Sequence, residues 1–351
     1  MHELELTGCP VLVVGGGPSA LAVVAELQRA AADITVAAVE LVASLEDLAD
    51  RELIGWQRGP VTGSAIAAAA LVVAATDDPE LDHELTERCR ELRRPLHRSS
   101  RVPAAAGTPG TGEVILVGGG PGDPDLLTVG GLAAIRRADV IITDRLAPLA
   151  SLAEARTDAE VIDVGKVPGG RLTRQEAINR LLIDHAEADR VVVRLKGGDN
   201  FVFGRGGEEW QACAAAGVRV RVLPGVSAAT AVPGLAGIPV THRDLVQGFT
   251  AVSGHLPPGH AGSTLDWAAL ARSGTTLVIM MGVATLPAIT AELIKHGLAP
   301  DLPAATIADG GLPSQRTVRA TLADIAEQTT AAGIRPPAVT VIGAVAGLSL
   351  S

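Results

Sequence analysis

Residues 113–128 read EVILVGGGPGDPDLLT, and the fold of the chain turns on this stretch. Val114, Ile115, Leu116 and Val117 form an unbroken apolar run, the pattern of a strand buried on both faces. Gly118, Gly119, Gly120, Pro121, Gly122, Asp123 and Pro124 interrupt it, and helix-like sequence resumes near Leu126. A strand that passes through a glycine-rich turn into a helix leaves backbone N–H groups at the mouth of a crevice. Glycine lets a ligand approach the backbone where a Cβ would clash. The turn is not the GxGxxG dinucleotide fingerprint, because Asp123 stands where the third glycine belongs, and no Gly-Lys-Ser/Thr closes it as in a phosphate-binding P-loop. Two prolines stiffen it, which suits a shaped pocket and equally an ordinary tight turn.

The same grammar repeats downstream. Val140, Ile141, Ile142 and Thr143 read as a strand ending at Asp144, and residues 161–164 as one ending at Gly165 and Lys166. Residues 173–186 read as a helix, with Thr173 and Glu176 in capping-box spacing. Residues 191–195 run into Lys196, Gly197, Gly198 and Asp199, and residues 218–223 into Pro224 and Gly225. Four further strand-like runs precede Ser253-Gly254-His255, Met281-Gly282, Asp309-Gly310 and Gly343, and residues 256–264 read as a Pro- and Gly-rich loop. Strands that end in glycine and polar residues build one site along the carboxyl edge of an α/β sheet.

Upstream, Val11 to Val14 is a buried-strand pattern followed by Gly15, Gly16, Gly17, Pro18, Ser19 and Ala20, which fits GxGxxG/A. An apolar helix, a second strand over residues 34–39 and Glu40, at the place of a ribose-binding acid, complete a Rossmann-like opening. Residues 71–75 form another strand, ending at Thr76, Asp77 and Asp78. Residues 101–112, RVPAAAGTPGTG, are small and without periodicity and read as a linker between domains 1–100 and 113–351.

The chain has 351 residues, enough for two or three domains. A formal net charge of −10 argues against a nucleic-acid binder, so an anionic substrate would need a local basic pocket. No apolar run is long enough to span a membrane, and the acidic start Met1-His2-Glu3 lacks a signal peptide's basic region, which points to a cytoplasmic location. Cys9, Cys89 and Cys213 are scattered without metal-ligand spacing, so neither a metal nor a disulfide framework is expected.

Taken with Thr143-Asp144-Arg145-Leu146 and Val164-Gly165-Lys166, the strings LKGGDNFVFGRGGEE at 195–209, PGVSAA at 224–229 and GIPVTHRD at 237–244 closely resemble the uroporphyrinogen-III C-methyltransferases. The resemblance covers about residues 113–345 and implies an α/β fold: an N-terminal Rossmann-like domain, then a two-lobed tetrapyrrole methylase with lobes of about 113–228 and 229–351. It implies S-adenosylmethionine-dependent methylation of uroporphyrinogen III at two pyrrole carbons, C2 and C7, giving precorrin-2 for siroheme or cobalamin, and a homodimer with no nucleic-acid or membrane partner. Residues 1–100 resemble a shortened precorrin-2 dehydrogenase-like domain. They keep the residues that would hold NAD, Gly15, Gly17, Thr76 and Asp77, but lack the acid and the dimerisation subdomain that normally follow. An active fused dehydrogenase/ferrochelatase and a later precorrin methylase are the alternatives. The methylase half is expected to be self-sufficient, since every family string follows the linker.

By that resemblance Asp144 is the base and Lys166 its partner acid. The cofactor positions are Pro121, Gly197, Gly198, Asp199, Val202, Ser227, Ala228, Met281 and Gly310. Asn200 and Ser227 replace a common proline and threonine, as mild departures. Arg171, Arg205, His242, Arg243 and His255 are the candidate cations for the substrate's carboxylates, because an arginine fork matches a carboxylate with two hydrogen bonds. Residue chemistry alone leaves Asp144 open to two other readings, an ion pair with Arg145 or a helix cap.

Overall fold

The structure, a computed structural model, describes residues 6–76, 78–98, 112–165 and 173–348. The described residues of 1–119 and 124–225 form one compact unit, and those of 120–123 and 226–351 form a second. Among the described residues no helix is long and apolar enough to cross a membrane.

The first unit holds two five-stranded parallel sheets. In the first sheet, β1 (Pro10–Val14), β2 (Asp33–Ala38), β3 (Gly55–Arg58), β4 (Leu71–Ala74) and β5 (Leu96–Arg98) lie in the order β3-β2-β1-β4-β5. Helices α1 (Pro18–Arg29), α2 (Ala43–Asp50), α3 (Gly63–Ala68) and α4 (Pro79–Glu91) connect them. Residues 96–98 add a fifth, three-residue edge strand paired with β4.

The second sheet has β6 (Glu113–Gly118), β7 (Val140–Thr143), β8 (Glu160–Asp163), β9 (Val191–Lys196) and β10 (Arg219–Leu223) in the order β10-β6-β9-β7-β8. Helices α5 (Val129–Arg137), α6 (Gln175–Glu187) and α7 (Gly206–Ala215) cross over between strands. The apolar run that opens the sequence argument is β6, and all six of its residues are buried between β9 and β10. Because every strand of this sheet is parallel, the segments after β6, β7, β8, β9 and β10 all emerge at one edge. The start of α6 departs from the sequence expectation. The helix begins at Gln175, its N-cap is Arg174, and no side chain caps it, so the Thr173/Glu176 capping box does not form.

The apolar character of α1 has a structural cause. Seven of its twelve residues, Ser19, Ala20, Leu21, Val23, Val24, Ala25 and Leu27, are buried, which spreads around much of the helix. A helix buried on more than one face has partners on more than one side. Here they are the first sheet, through Val11, Val13, Ile34 and Val36, and the methylase half, through Ala147, Leu149, Leu152 and Val161, in one continuous hydrophobic core. Each fully buried leucine or valine is worth about 1.5–3 kcal/mol. Residues on either side of the linker therefore stabilise one another, and a self-sufficient methylase half no longer follows from the position of the family strings.

The second unit carries β11 (Phe249–Ser253), β12 (Thr276–Met280), β13 (Pro303–Ala308), β14 (Arg316–Thr321) and β15 (Ala338–Ile342) in the order β11-β12-β15-β13-β14. Helices α8 (Ala228–Leu235), α9 (Trp267–Ala271), α10 (Leu286–Lys295) and α11 (Ile325–Ala331) complete it. This sheet is mixed: β11 runs parallel to β12, but β15 is antiparallel to both β12 and β13. The carboxyl ends of β11, β12 and β13 consequently share one edge.

Candidate active site

At the carboxyl edge of the second sheet, three glycine turns are pressed together backbone to backbone. A Cβ on Gly118 would sit 2.4 Å from the Gly225 nitrogen and 2.9 Å from the Gly198 oxygen. A Cβ on Gly197 would lie 2.1 Å from the Leu146 carbonyl oxygen. The turns after β6, β9 and β10, with the loop after β7, thus leave an edge lined by main chain, as a closely held cofactor requires. We expect Gly197→Ala to lower S-adenosylmethionine affinity by about tenfold or more, because two backbone segments must part to admit the methyl group. Isothermal titration measures it, and parent-like affinity would show that this close approach does not serve the cofactor.

Asp199 shapes that edge with both carboxylate oxygens. Oδ1 accepts from the N–H groups of Phe201 at 2.9 Å and Val202 at 3.3 Å, and Oδ2 from Gly225 at 3.1 Å. Val202, next along, is exposed. Asn200 is more than a mild replacement. It is fully buried, and its side-chain amide donates to the carbonyls of Leu116 at 3.3 Å and Leu223 at 2.9 Å, tying β6 to β10.

Asp144 follows β7, partly exposed, and its neighbour Arg145 is not its partner. Its Oδ2 accepts from Arg194 Nη2 at 2.9 Å, and its Oδ1 from the Leu146 N–H at 3.2 Å. Arg194 is a buried residue of β9. Its Nε donates to Glu209 Oε1 at 3.0 Å, and its Nη1 donates to the carbonyls of Ile142 and Leu195. Lys196 Nζ reaches the same Glu209 oxygen at 3.2 Å, and Gln175 Nε2 at 3.3 Å. Glu209 is wholly buried on α7, and its Oε2 has no hydrogen-bond partner among the described residues.

The electrostatics of this cluster are those of a compensated buried network. Burial opposes the charge of Arg194, yet Asp144 and Glu209 hold its pKa above the ordinary arginine range. Burial, and then the neighbouring Arg194 charge, push Lys196 below the usual lysine range. Burial, and then the Glu209 charge, push the Cys213 thiol up to about 11. The arrangement presents one carboxylate, Asp144, at a glycine-lined edge with its orientation fixed from behind.

Arg194, Lys196 and Glu209 are the site residues that motif reading passed over. The available signal was a buried parallel strand, VVVRLK, with two cations at alternate positions on one face. Such a strand requires counter-charges, and Glu209 and Asp144 supply them.

The remaining candidates fall as follows. Lys166, Arg171 and Asp77 lie outside the described residues. Arg205 is exposed at the N-cap of α7 in a left-handed conformation, φ 58°, and forks onto Glu208 at 2.9 and 2.7 Å. In the second unit, a Cβ on Gly310 would meet the Val232 side chain at 2.6 Å, and Gly311 lies against Pro121 and Asp123. This gathers Pro121, Gly310 and α8, whose N-cap is Ser227 and first residue Ala228. Met281 is exposed at φ 55° after β12, beside the turn of His255, since a Cβ on Gly254 would meet the Gly282 Cα at 2.9 Å. His255 Nδ1 lies 3.0 Å from Ser253 Oγ. His242 and Arg243 sit in a separate tight turn bridged from His242 to Val246.

In the first sheet Gly15 takes φ 123°, and Gly17 is the N-cap of α1. Glu40 is exposed. Thr76 Oγ1 donates to Asp82 at 2.7 Å and accepts from the Asp78 N–H, so it secures the start of α4.

Parallel strands with glycine turns and one held carboxylate at their carboxyl edge define an α/β protein suited to small-molecule chemistry. Residues 113–326 match the family of tetrapyrrole (corrin/porphyrin) methylases, and residues 3–105 match a putative NAD(P)-binding family. The chain belongs to the tetrapyrrole methylase family. It is 46% identical over 237 residues to a siroheme synthase of Acinetobacter baylyi, covering 68% of this chain and 51% of that protein. It is also 46% identical over 237 residues to an S-adenosyl-L-methionine-dependent uroporphyrinogen III methyltransferase of Methanosarcina barkeri, covering 93% of it. A crystal structure of uroporphyrin-III C-methyl transferase from Thermus thermophilus, complexed with S-adenyl homocysteine, aligns with a TM-score of 0.57 at 42% identity, over 67% of this chain and 98% of that one. The chain spans about half the length of the siroheme synthases it matches.

Proposed function

We propose that this chain transfers methyl groups from S-adenosylmethionine to uroporphyrinogen III at C2 and C7, giving precorrin-2 for siroheme or cobalamin. The observation that carries the reading is the match to the Methanosarcina barkeri uroporphyrinogen III methyltransferase along nearly its whole length. The site geometry supports it. S-adenosylmethionine supplies a methyl group already activated by its sulfonium, so alignment of donor and acceptor contributes much of the rate. Pro121, Gly197, Gly198, Asp199, Val202, Ser227, Ala228, Met281 and Gly310 would hold it. The backbone-to-backbone contacts of Gly118, Gly197 and Gly225 fix the turns that would line it.

A pyrrole carbon that has gained a methyl group must shed a proton, and Asp144 is the base that takes it. Arg194 holds that carboxylate from behind, leaving its exposed face to the substrate. Lys166 as partner acid, and Arg171, Arg205, His242, Arg243 and His255 as carboxylate ligands, belong to the same reading, as do a homodimer and a cytoplasmic setting.

The N-terminal domain is a dinucleotide-type fold without the dehydrogenase chemistry. Its β5 ends at His97 and Arg98, both exposed, and residues 96–98 contain no acid. Incubation with S-adenosylmethionine, uroporphyrinogen III, NAD and ferrous iron is expected to accumulate precorrin-2 until a separate dehydrogenase is added. Siroheme formed by this protein alone, at the rate of methylation, would instead establish the bifunctional alternative.

A further inference from the structure

The loop that follows β7 and the end of β8 are gripped by the N-terminal domain. Arg145, next to Asp144, donates from Nη1 to Asp47 Oδ1 of α2 at 2.7 Å. The Ser44 N–H, in the first turn of α2, donates to Asp163 Oδ2 at 2.7 Å. Asp163 Oδ1 accepts in turn from the Gly165 N–H at 2.9 Å, and a Cβ on Gly165 would lie 3.5 Å from the Ala43 Cβ. A carboxylate at a helix N-terminus is favoured by the helix dipole and meets N–H groups that the helix itself cannot pair.

Helix α2 is fixed on its own side as well. Its N-cap residue, Val42, donates its N–H to the Gly16 carbonyl at 2.8 Å, tying the helix start to the glycine turn after β1. Leu45 and Leu48 of α2 lie in the core that also contains Ala147, Leu149 and Leu152 from the segment after Asp144. Asp47 also pairs with Arg51 at 3.5 Å, one turn along α2, so its largely buried carboxylate is held from two sides.

We propose that the N-terminal domain serves the methylase half as a rigid brace, with Asp47 as a positioning residue that sets the loop carrying Asp144. The proposal rests on Asp144 being the base. It assigns a use to a domain that keeps a dinucleotide-type fold without dehydrogenase residues: α2 reaches across to the carboxyl edge of the second sheet and fixes the loop after β7 and the end of β8 at once. Arg145 is partly exposed while Asp47 is largely buried, and solvent at the arginine weakens the pair, so its worth is in geometry more than in stability. Misplacement of a catalytic group by about 1 Å can cost roughly 10²-fold in rate.

The test uses the full chain with Asp47→Asn, Arg145→Gln and the double variant. Each single variant is expected to lose about fivefold or more in kcat, with S-adenosylmethionine affinity and thermal midpoint close to the parent. The double variant should lose no more than either single one, because both substitutions remove the same contact. Parent-like kcat in Asp47→Asn, or losses that multiply in the double variant, would overturn the brace. Asp144→Asn, measured alongside, separates this from the underlying reading. If Asp144→Asn is inactive while Asp47→Asn is normal, the brace alone fails. If Asp144→Asn is fully active, the base assignment fails and takes the brace with it.

Discussion

Asp144→Asn is expected to lower turnover with uroporphyrinogen III by about 10²-fold or more, the scale of a lost general base, while S-adenosylmethionine affinity stays near the parent value. The substitution keeps the size and planarity of the side chain. The oxygen that accepts from Leu146 N–H and the space beside Arg194 both remain filled. What is lost is the ability to take a proton, together with the acceptor that Oδ2 offers to Arg194 Nη2. Single-turnover kinetics with a parallel binding titration makes the measurement. An equal loss of cofactor binding would make Asp144 a residue that shapes the pocket rather than one that acts in it.

Arg194→Met carries the largest expected cost in stability, about 3–5 kcal/mol, the penalty for breaking a buried ion pair from one side. Methionine fills much of the arginine's volume but leaves the wholly buried Glu209 with Lys196 as its one cationic partner among the described residues. It also abandons the carbonyls of Ile142 and Leu195, which Arg194 satisfies. Denaturant unfolding followed on the first unit's transition should show the drop. Turnover should fall further than stability explains, because Asp144 loses the group that aims it. An Arg194→Met protein as stable as the parent would contradict the view of this cluster as a mutually dependent buried network.

The edge of the second sheet was legible because its cause is local. A strand with apolar residues throughout and a glycine after it announces both its burial and its turn, as β6 does, while β7, β9 and β10 each end in a turn of aspartate, glycine or proline. The Asp144–Arg194–Glu209 cluster was not legible, since its members lie 50 and 15 positions apart and meet only through strand order and helix packing. The partner of Arg145 was hidden for the same reason, 98 positions upstream. The antiparallel β15 and the edge strand β14 carry the same alternation as parallel strands, so their direction could not be read from composition. The apolar face of α1 was visible in the sequence, but its second partner belongs to the other side of the linker. The absent cap of α6 shows the opposite failure, a local signal at Thr173 and Glu176 that the chain does not use.

Mass analysis of the product made from uroporphyrinogen III and S-adenosylmethionine, by the full chain without other enzymes, tests the central claim most directly. The account predicts a tetrapyrrole that has gained two methyl groups, with two S-adenosylhomocysteine molecules released per product and a product spectrum that does not change when NAD is added. An unmodified substrate, from a protein that is folded and binds S-adenosylmethionine, would contradict it, as would methylation seen only with a tetrapyrrole that already carries methyl groups.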